Sequence, residues 1–84
     1  MIVYLYRWKI KAGKEAQFQK SWELVTTIFK EQCGSLGSRL HVSESGDWVG
    51  YAQWRDKATR DACGFTSPQL QSAREAMRDA VAES

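Results

Sequence analysis

Residues 1–34 read MIVYLYRWKIKAGKEAQFQKSWELVTTIFKEQCG, and their hydrophobic period changes at Ala12-Gly13-Lys14. Before the turn the period is two. Ile2, Tyr4, Tyr6, Trp8 and Ile10 fall on one face of a strand over Met1 to Lys11, and Val3, Leu5, Arg7, Lys9 and Lys11 on the other. The first face is apolar or aromatic throughout, whereas the second becomes basic. Gly13 supplies a residue able to take positive φ. After the turn, Phe18, Trp22, Val25 and Phe29 recur at steps of four, three and four, with Leu24 and Ile28 widening the stripe. That spacing predicts an amphipathic helix from Glu15 to Cys33. Glu15 suits its positive end, and Gly34 is placed to end it.

Working outward, Leu36 to Glu44 reads as a second strand, with Leu36, Leu40 and Val42 on one face and Arg39 and His41 on the other. Ser45-Gly46-Asp47 makes a hairpin turn into a third strand, Trp48 to Arg55. Asp56 caps a short helix running to about Cys63, and Gly64 ends it. Ser67-Pro68 is an N-cap and first-turn pair for a last helix, whose apolar positions are Leu70, Ala73, Met77, Ala80 and Val81. The order β-α-β-β-α-α makes an α+β, ferredoxin-like split β-α-β domain over residues 1–84, with helices on one face of an antiparallel sheet.

A chain of 84 residues is near the lower end of what folds without a staple or a partner. Four Trp, three Tyr and three Phe offset part of that deficit, because each buried aromatic removes a large area from water. A homodimer interface is the usual way to bury more. The net charge of +2 is dispersed along the chain, which argues against nucleic acid as a partner. No apolar run approaches membrane-spanning length, and no basic segment precedes Met1-Ile2-Val3-Tyr4 as a leader would require. Cys33 and Cys63 form neither a disulfide framework nor a metal-ligand spacing. They read as small buried apolar side chains in a reducing cytoplasm. Both precede a glycine at a helix C-terminus, where the dipole disfavours a thiolate nucleophile. No metal site and no phosphate-binding loop is expected.

Three segments resemble the antibiotic-biosynthesis-monooxygenase family of the dimeric α/β-barrel superfamily. Lys11-Ala12-Gly13-Lys14-Glu15-Ala16-Gln17-Phe18 is similar to the family's approach to its first helix. Cys33-Gly34-Ser35-Leu36-Gly37 matches its glycine-bearing start of the second strand. Trp54-Arg55-Asp56-Lys57-Ala58 matches a strand-ending Trp followed by a capped helix. The resemblance spans residues 1 to 75 and rests on the order and spacing of these segments. It implies a homodimer whose two sheets face each other, with a pocket in each subunit between sheet and helices. It also implies, for some members, oxygenation of phenols or quinols without metal or flavin. Haem-degrading members use an Asn, a Trp and a His at positions that fall here on Tyr6, Cys63 and Ala73 or Arg74, so haem degradation is not expected. The family closes its sheet with a fourth strand, which is expected to be missing here because the sequence reads as helix from Pro68 to Ser84. The open edge of the first strand would then be covered by the partner subunit or by a further C-terminal piece.

Tyr4, Tyr6, Trp8, Trp22 and Trp54 either line a flat pocket for an aromatic ligand or are simply the core of a small domain. For catalysis the candidates are Tyr6, His41, Trp54 and Arg74; for substrate binding they are Tyr4, Trp8, Trp22 and Phe65. Cofactor-free oxygenation needs an electron-rich substrate anion. Tyr hydroxyls and Arg74 can hold such an anion, and His41 has the side-chain pKa nearest neutrality. The run Arg55-Asp56-Lys57-Ala58-Thr59-Arg60-Asp61 alternates in sign and reads as a solvated helix face. Two alternatives stay open. One is a non-catalytic binding or assembly module of the same fold. The other is an RNA-recognition-like domain suggested by Gly50-Tyr51-Ala52, although Val49 and Gln53 stand where that motif wants a basic and an aromatic residue.

Overall fold

A computed structural model describes residues 1–83. Seven elements follow in order: β1 (Ile2–Ile10), α1 (Glu15–Cys33), β2 (Gly37–Val42), β3 (Trp48–Trp54), α2 (Lys57–Asp61), α3 (Pro68–Ala80) and β4 (Val81–Glu83). They form one antiparallel sheet of order β2-β3-β1-β4. This is the ferredoxin-like arrangement, and within one chain the sheet stays open rather than closing into a barrel.

The local signals act where the sequence puts them. Gly34 ends α1 at φ 76°, and its N–H donates to the Phe29 carbonyl. The Asp56 carboxylate accepts from the Thr59 N–H at 2.7 Å to start α2. Ser67 Oγ accepts from the Leu70 N–H at 3.1 Å to start α3, with Pro68 in the first turn. Gly46, at φ 89°, turns the β2–β3 hairpin.

Alternation fixes the two faces of the sheet. The register pairs Tyr4 with Ala52, Tyr6 with Gly50 and Trp8 with Trp48, then Ser38 with Ala52 and Leu40 with Gly50. These residues face the helices. Leu5, Tyr51 and Arg39 form a row on the opposite face, as do Arg7, Val49 and His41. Leu5 is 70% exposed there.

Between the layers the contacts concentrate at two ends. Phe18, fully buried, meets the Trp8 ring edge-on at 5.0 Å and the Trp48 ring at 5.8 Å. Eleven residues later, about three turns along the same helix face, Phe29 packs on Trp54 at 6.2 Å. The two helices close on each other through Val25, Ile28, Leu70 and Ala73, with Leu24, Phe29 and Met77 around them. Lys14, at the N-cap of α1, and Gln17 in its first turn both bond the Asp79 carboxylate on α3. With aromatic posts at either end and the helices sealed above, the span between the posts is left hollow.

Two expectations are corrected. A fourth strand is present: the chain leaves α3 at Ala80 and pairs Val81–Glu83 with the end of β1, Ile10 opposite Val81 and Lys9 opposite Glu83. The Lys11 N–H donates to the Ala80 carbonyl at 2.8 Å and fixes the junction. Second, Cys33 and Cys63 are disulfide-bonded, their Cα atoms 5.2 Å apart across 30 residues of chain. Both lie where a helix ends, and the fold brings those two ends together. Their pairing removes the ground on which a reducing cytoplasm was expected. No helix among the described residues is long and apolar enough to cross a membrane.

Candidate functional site

The hollow between the posts is a cavity of about 940 Å3, open to solvent on one side. Its sheet wall is built from Tyr6, Trp8, Gly50, Ala52 and Trp54, all on the helix-facing side. Its α1 wall is Trp22, Val25, Thr26 and Phe29, and α3 contributes Arg74, Met77 and Arg78. Arg60 and Asp61 of α2, with Cys63 just beyond it, stand at the margin, and Val81 and Ala82 of β4 complete it.

Gly50 makes the sheet wall possible. A Cβ at this position would lie 2.7 Å from two ring carbons of Trp8, so only glycine lets the indole lie flat across β3. Trp8 in turn stacks with Tyr6, the ring centroids 5.7 Å apart and the planes 11° from parallel. The result is a continuous aromatic floor beside an edge-on Phe18.

Arginine supplies the polar groups. The Arg60 guanidinium lies over the Tyr4 ring, 4.1 Å from its centroid, in a cation–π contact. It also donates a long hydrogen bond, 3.5 Å, to the Tyr6 hydroxyl. That bond, more than any other influence, raises the Arg60 pKa above its already high ordinary value, so the group is a permanent cation. Arg74 lies over the Phe29 ring at 5.1 Å. The carboxylate of Asp61 is held by Lys57 at 2.7 Å and by Arg60 at 3.7 Å.

Of the residues singled out in the sequence, the structure gathers Tyr6, Trp8, Trp22, Trp54 and Arg74 around this one cavity. Tyr4 sits beside it under Arg60 and does not line it. His41 is exposed on the opposite face of the sheet, in register with Val49, and cannot act within the cavity of its own chain. Phe65 lies beyond α2, in a shallow depression with Gln32, Cys33 and Thr59. Sequence reasoning missed Arg60, Arg78, Phe29 and Gly50. Phe29 stood in the apolar stripe of α1, whereas Arg60 was absorbed into a charge run taken for a solvated face. Among the described residues no cluster of three or more His, Cys, Asp or Glu could hold a metal ion.

No protein-family profile and no curated protein sequence matches the chain. Solved structures do match its fold. A protein from Nitrosomonas europaea named "putative antibiotic biosynthesis monooxygenase" superimposes with a TM-score of 0.76 at 17% identity, over 100% of this chain and 90% of that one. A protein of the same name from Bordetella bronchiseptica gives 0.75 at 19% identity, over 96% and 85%. Rv0793 from Mycobacterium tuberculosis gives 0.74 at 14% identity, over 98% and 84%. The chain is therefore an α+β domain with the antibiotic-biosynthesis-monooxygenase-like fold.

Proposed function

We propose that the cavity binds a small planar aromatic molecule, a phenol or quinol, and that the chain oxygenates it without a bound cofactor. The observation that carries this reading is the arrangement of the walls. Trp8, Trp22, Trp54, Phe29 and Tyr6 present aromatic surface to a cavity of about 940 Å3, within the range that small-molecule sites occupy. A cavity lined this way excludes water from a flat ligand and offers it faces to stack on.

The chemistry suited to such a site is oxidation of an activated methylene or quinol by molecular oxygen. For an anthrone, the ring methylene becomes a carbonyl with one oxygen atom of O2. The other oxygen leaves as water with the two methylene hydrogens, and the substrate supplies all the electrons. The protein's part is to hold the deprotonated substrate. Tyr6 and Arg60 stabilise the anion, and the Asp61 carboxylate at the cavity margin is the group able to take its proton. Oxygen consumption with anthrone and a panel of hydroquinones tests this: turnover above the buffer blank, lost in Tyr6→Phe and Trp54→Ala, supports oxygenation.

A second reading, a binding module without chemistry, draws on the position of His41 outside the cavity. It predicts ligand-induced quenching of tryptophan fluorescence with oxygen uptake no faster than the blank. In both readings the assembly is a homodimer. Val3, Leu5, Val49 and Tyr51 make an apolar centre on the uncovered sheet face, with Arg7, Arg39 and His41 around it. Light scattering that gives the single-chain mass at all concentrations would overturn the dimer.

A further inference from the structure

Three guanidinium groups, Arg60, Arg74 and Arg78, line the cavity against one carboxylate, Asp61. The three are not equivalent. Arg60 is engaged by the Tyr4 ring, the Tyr6 hydroxyl and Asp61, and Asp61 is further held by Lys57. Arg74 and Arg78 differ in having no ion pair among the described side chains. They stand one turn apart on α3, on the face that meets the cavity. Like charges at that spacing oppose each other and weaken a bare helix. Glu75, three residues before Arg78, could relieve them from the outside, yet it makes no salt bridge to either. A cation pair beside an aromatic cavity, unrelieved by any of the described side chains, is the arrangement that a bound anion would complete. A guanidinium fork matches a carboxylate in shape as well as charge.

We propose that the ligand of this cavity is a planar aromatic carboxylate, its rings stacked among Trp8, Trp22 and Trp54 and its carboxylate seated between Arg74 and Arg78. This rests on the aromatic-ligand reading above and narrows it: a neutral phenol fills the walls and leaves the cation pair unanswered. One or two fused rings place the carboxylate at the α3 wall while the ring system remains over the aromatic floor. Arg74, lying over Phe29, has its guanidinium held in position by the ring and need not be ordered on binding.

The test is a fluorescence titration of the intact protein with 2-naphthoate and with its neutral counterpart 2-naphthamide, at low and at high salt. The expected result is at least tenfold tighter binding of the carboxylate at low salt, with the preference shrinking as salt rises. In R74Q/R78Q the preference should vanish while naphthamide binds as before. Both substitutions are on exposed residues, keep helix propensity and leave the core intact, and circular dichroism verifies the fold. Three results overturn the proposal differently. Equal binding of both probes by the wild type refutes the carboxylate and leaves the aromatic pocket standing. A preference retained in R74Q/R78Q refutes the seat. Binding of neither probe removes the aromatic-ligand reading itself, and this inference with it.

Discussion

Replacing Gly50 by alanine should destabilise the domain, although alanine is ordinarily the better residue in a strand. The added methyl would sit 2.7 Å from two ring carbons of Trp8, against the 3.4 Å at which ordinary contact begins. Relief has to come from the backbone or from the indole. The backbone is held on both sides, because β3 is an interior strand and Gly50 pairs with both Tyr6 and Leu40. The indole is confined by Phe18 at 5.0 Å and Tyr6 at 5.7 Å. Overpacking of this kind costs about 1–3 kcal/mol. Loss of glycine's unfolded-state freedom returns about 0.5–1 kcal/mol. From the middle of each range, the net expectation is a loss of roughly 1 kcal/mol, a urea midpoint lower by about 1 M for a slope near 1 kcal/mol/M. A double-mutant cycle isolates the cause. Trp8→Phe removes the two offending ring carbons, so Gly50→Ala should be neutral or stabilising in that background. An alanine variant as stable as the wild type, or one equally destabilised with and without the indole, would refute the close-packing argument.

Reducing the Cys33–Cys63 bond, or replacing both residues by serine, should lower stability by about 3.6 kcal/mol, from the entropy of closing a loop of 30 residues. Calorimetry with and without reductant should show Tm falling by on the order of 20 °C; an unchanged Tm would mean the bond does not form. Phe18→Ala, removing a fully buried ring between Trp8 and Trp48, should cost about 3–5 kcal/mol in a denaturant titration. The Asp79 carboxyl is held below its ordinary pKa, first by its bond to Lys14 and then by Gln17. A depressed folded-state pKa stabilises at pH values above the unfolded value of 3.8 and is lost as pH falls through the folded value. Asp79→Asn should therefore weaken the domain at neutral pH and flatten the stability profile below about pH 4, which acid titration by circular dichroism would record.

How legible the fold was depended on whether its signals were local. The bounds of α1 are those its sequence predicts, since a 3.6-residue stripe and Gly34 both act within one segment. The caps at Asp56 and Ser67 are likewise contained in four residues. β4 was hidden because Ala73, Met77, Ala80 and Val81 continue one helical stripe with no breaker between them. Only pairing with β1, some 70 residues earlier in the chain, turns Val81 into a strand. The disulfide was hidden for the same reason, its two cysteines meeting only after folding. The site divides along a similar line. Alternation along β1 correctly put Tyr6 and Trp8 on one face, and the same alternation along β2 separates His41 from Leu40, the residue that faces the helices. What sequence alone could not show was which charges of α2 and α3 look inward, since a solvated face and a cavity wall share the same helical period.

Of the four strands, the one synthesised first is an inner strand of the finished sheet. β1 lies between β3 and β4, so its first neighbour is not complete until Trp54 has been made and its second until residue 83. A nascent chain therefore carries Ile2, Tyr4, Tyr6 and Trp8 without their β3 partners until Trp54 has been translated. Local helix formation in α1 can shield part of that surface through Phe18, but the ladder bonds must wait. Pairing between strands so far apart in sequence slows folding relative to a helical domain of the same size. The aromatic strand that furnishes the floor of the ligand cavity is thus also the segment on which a chaperone has the longest opportunity to act.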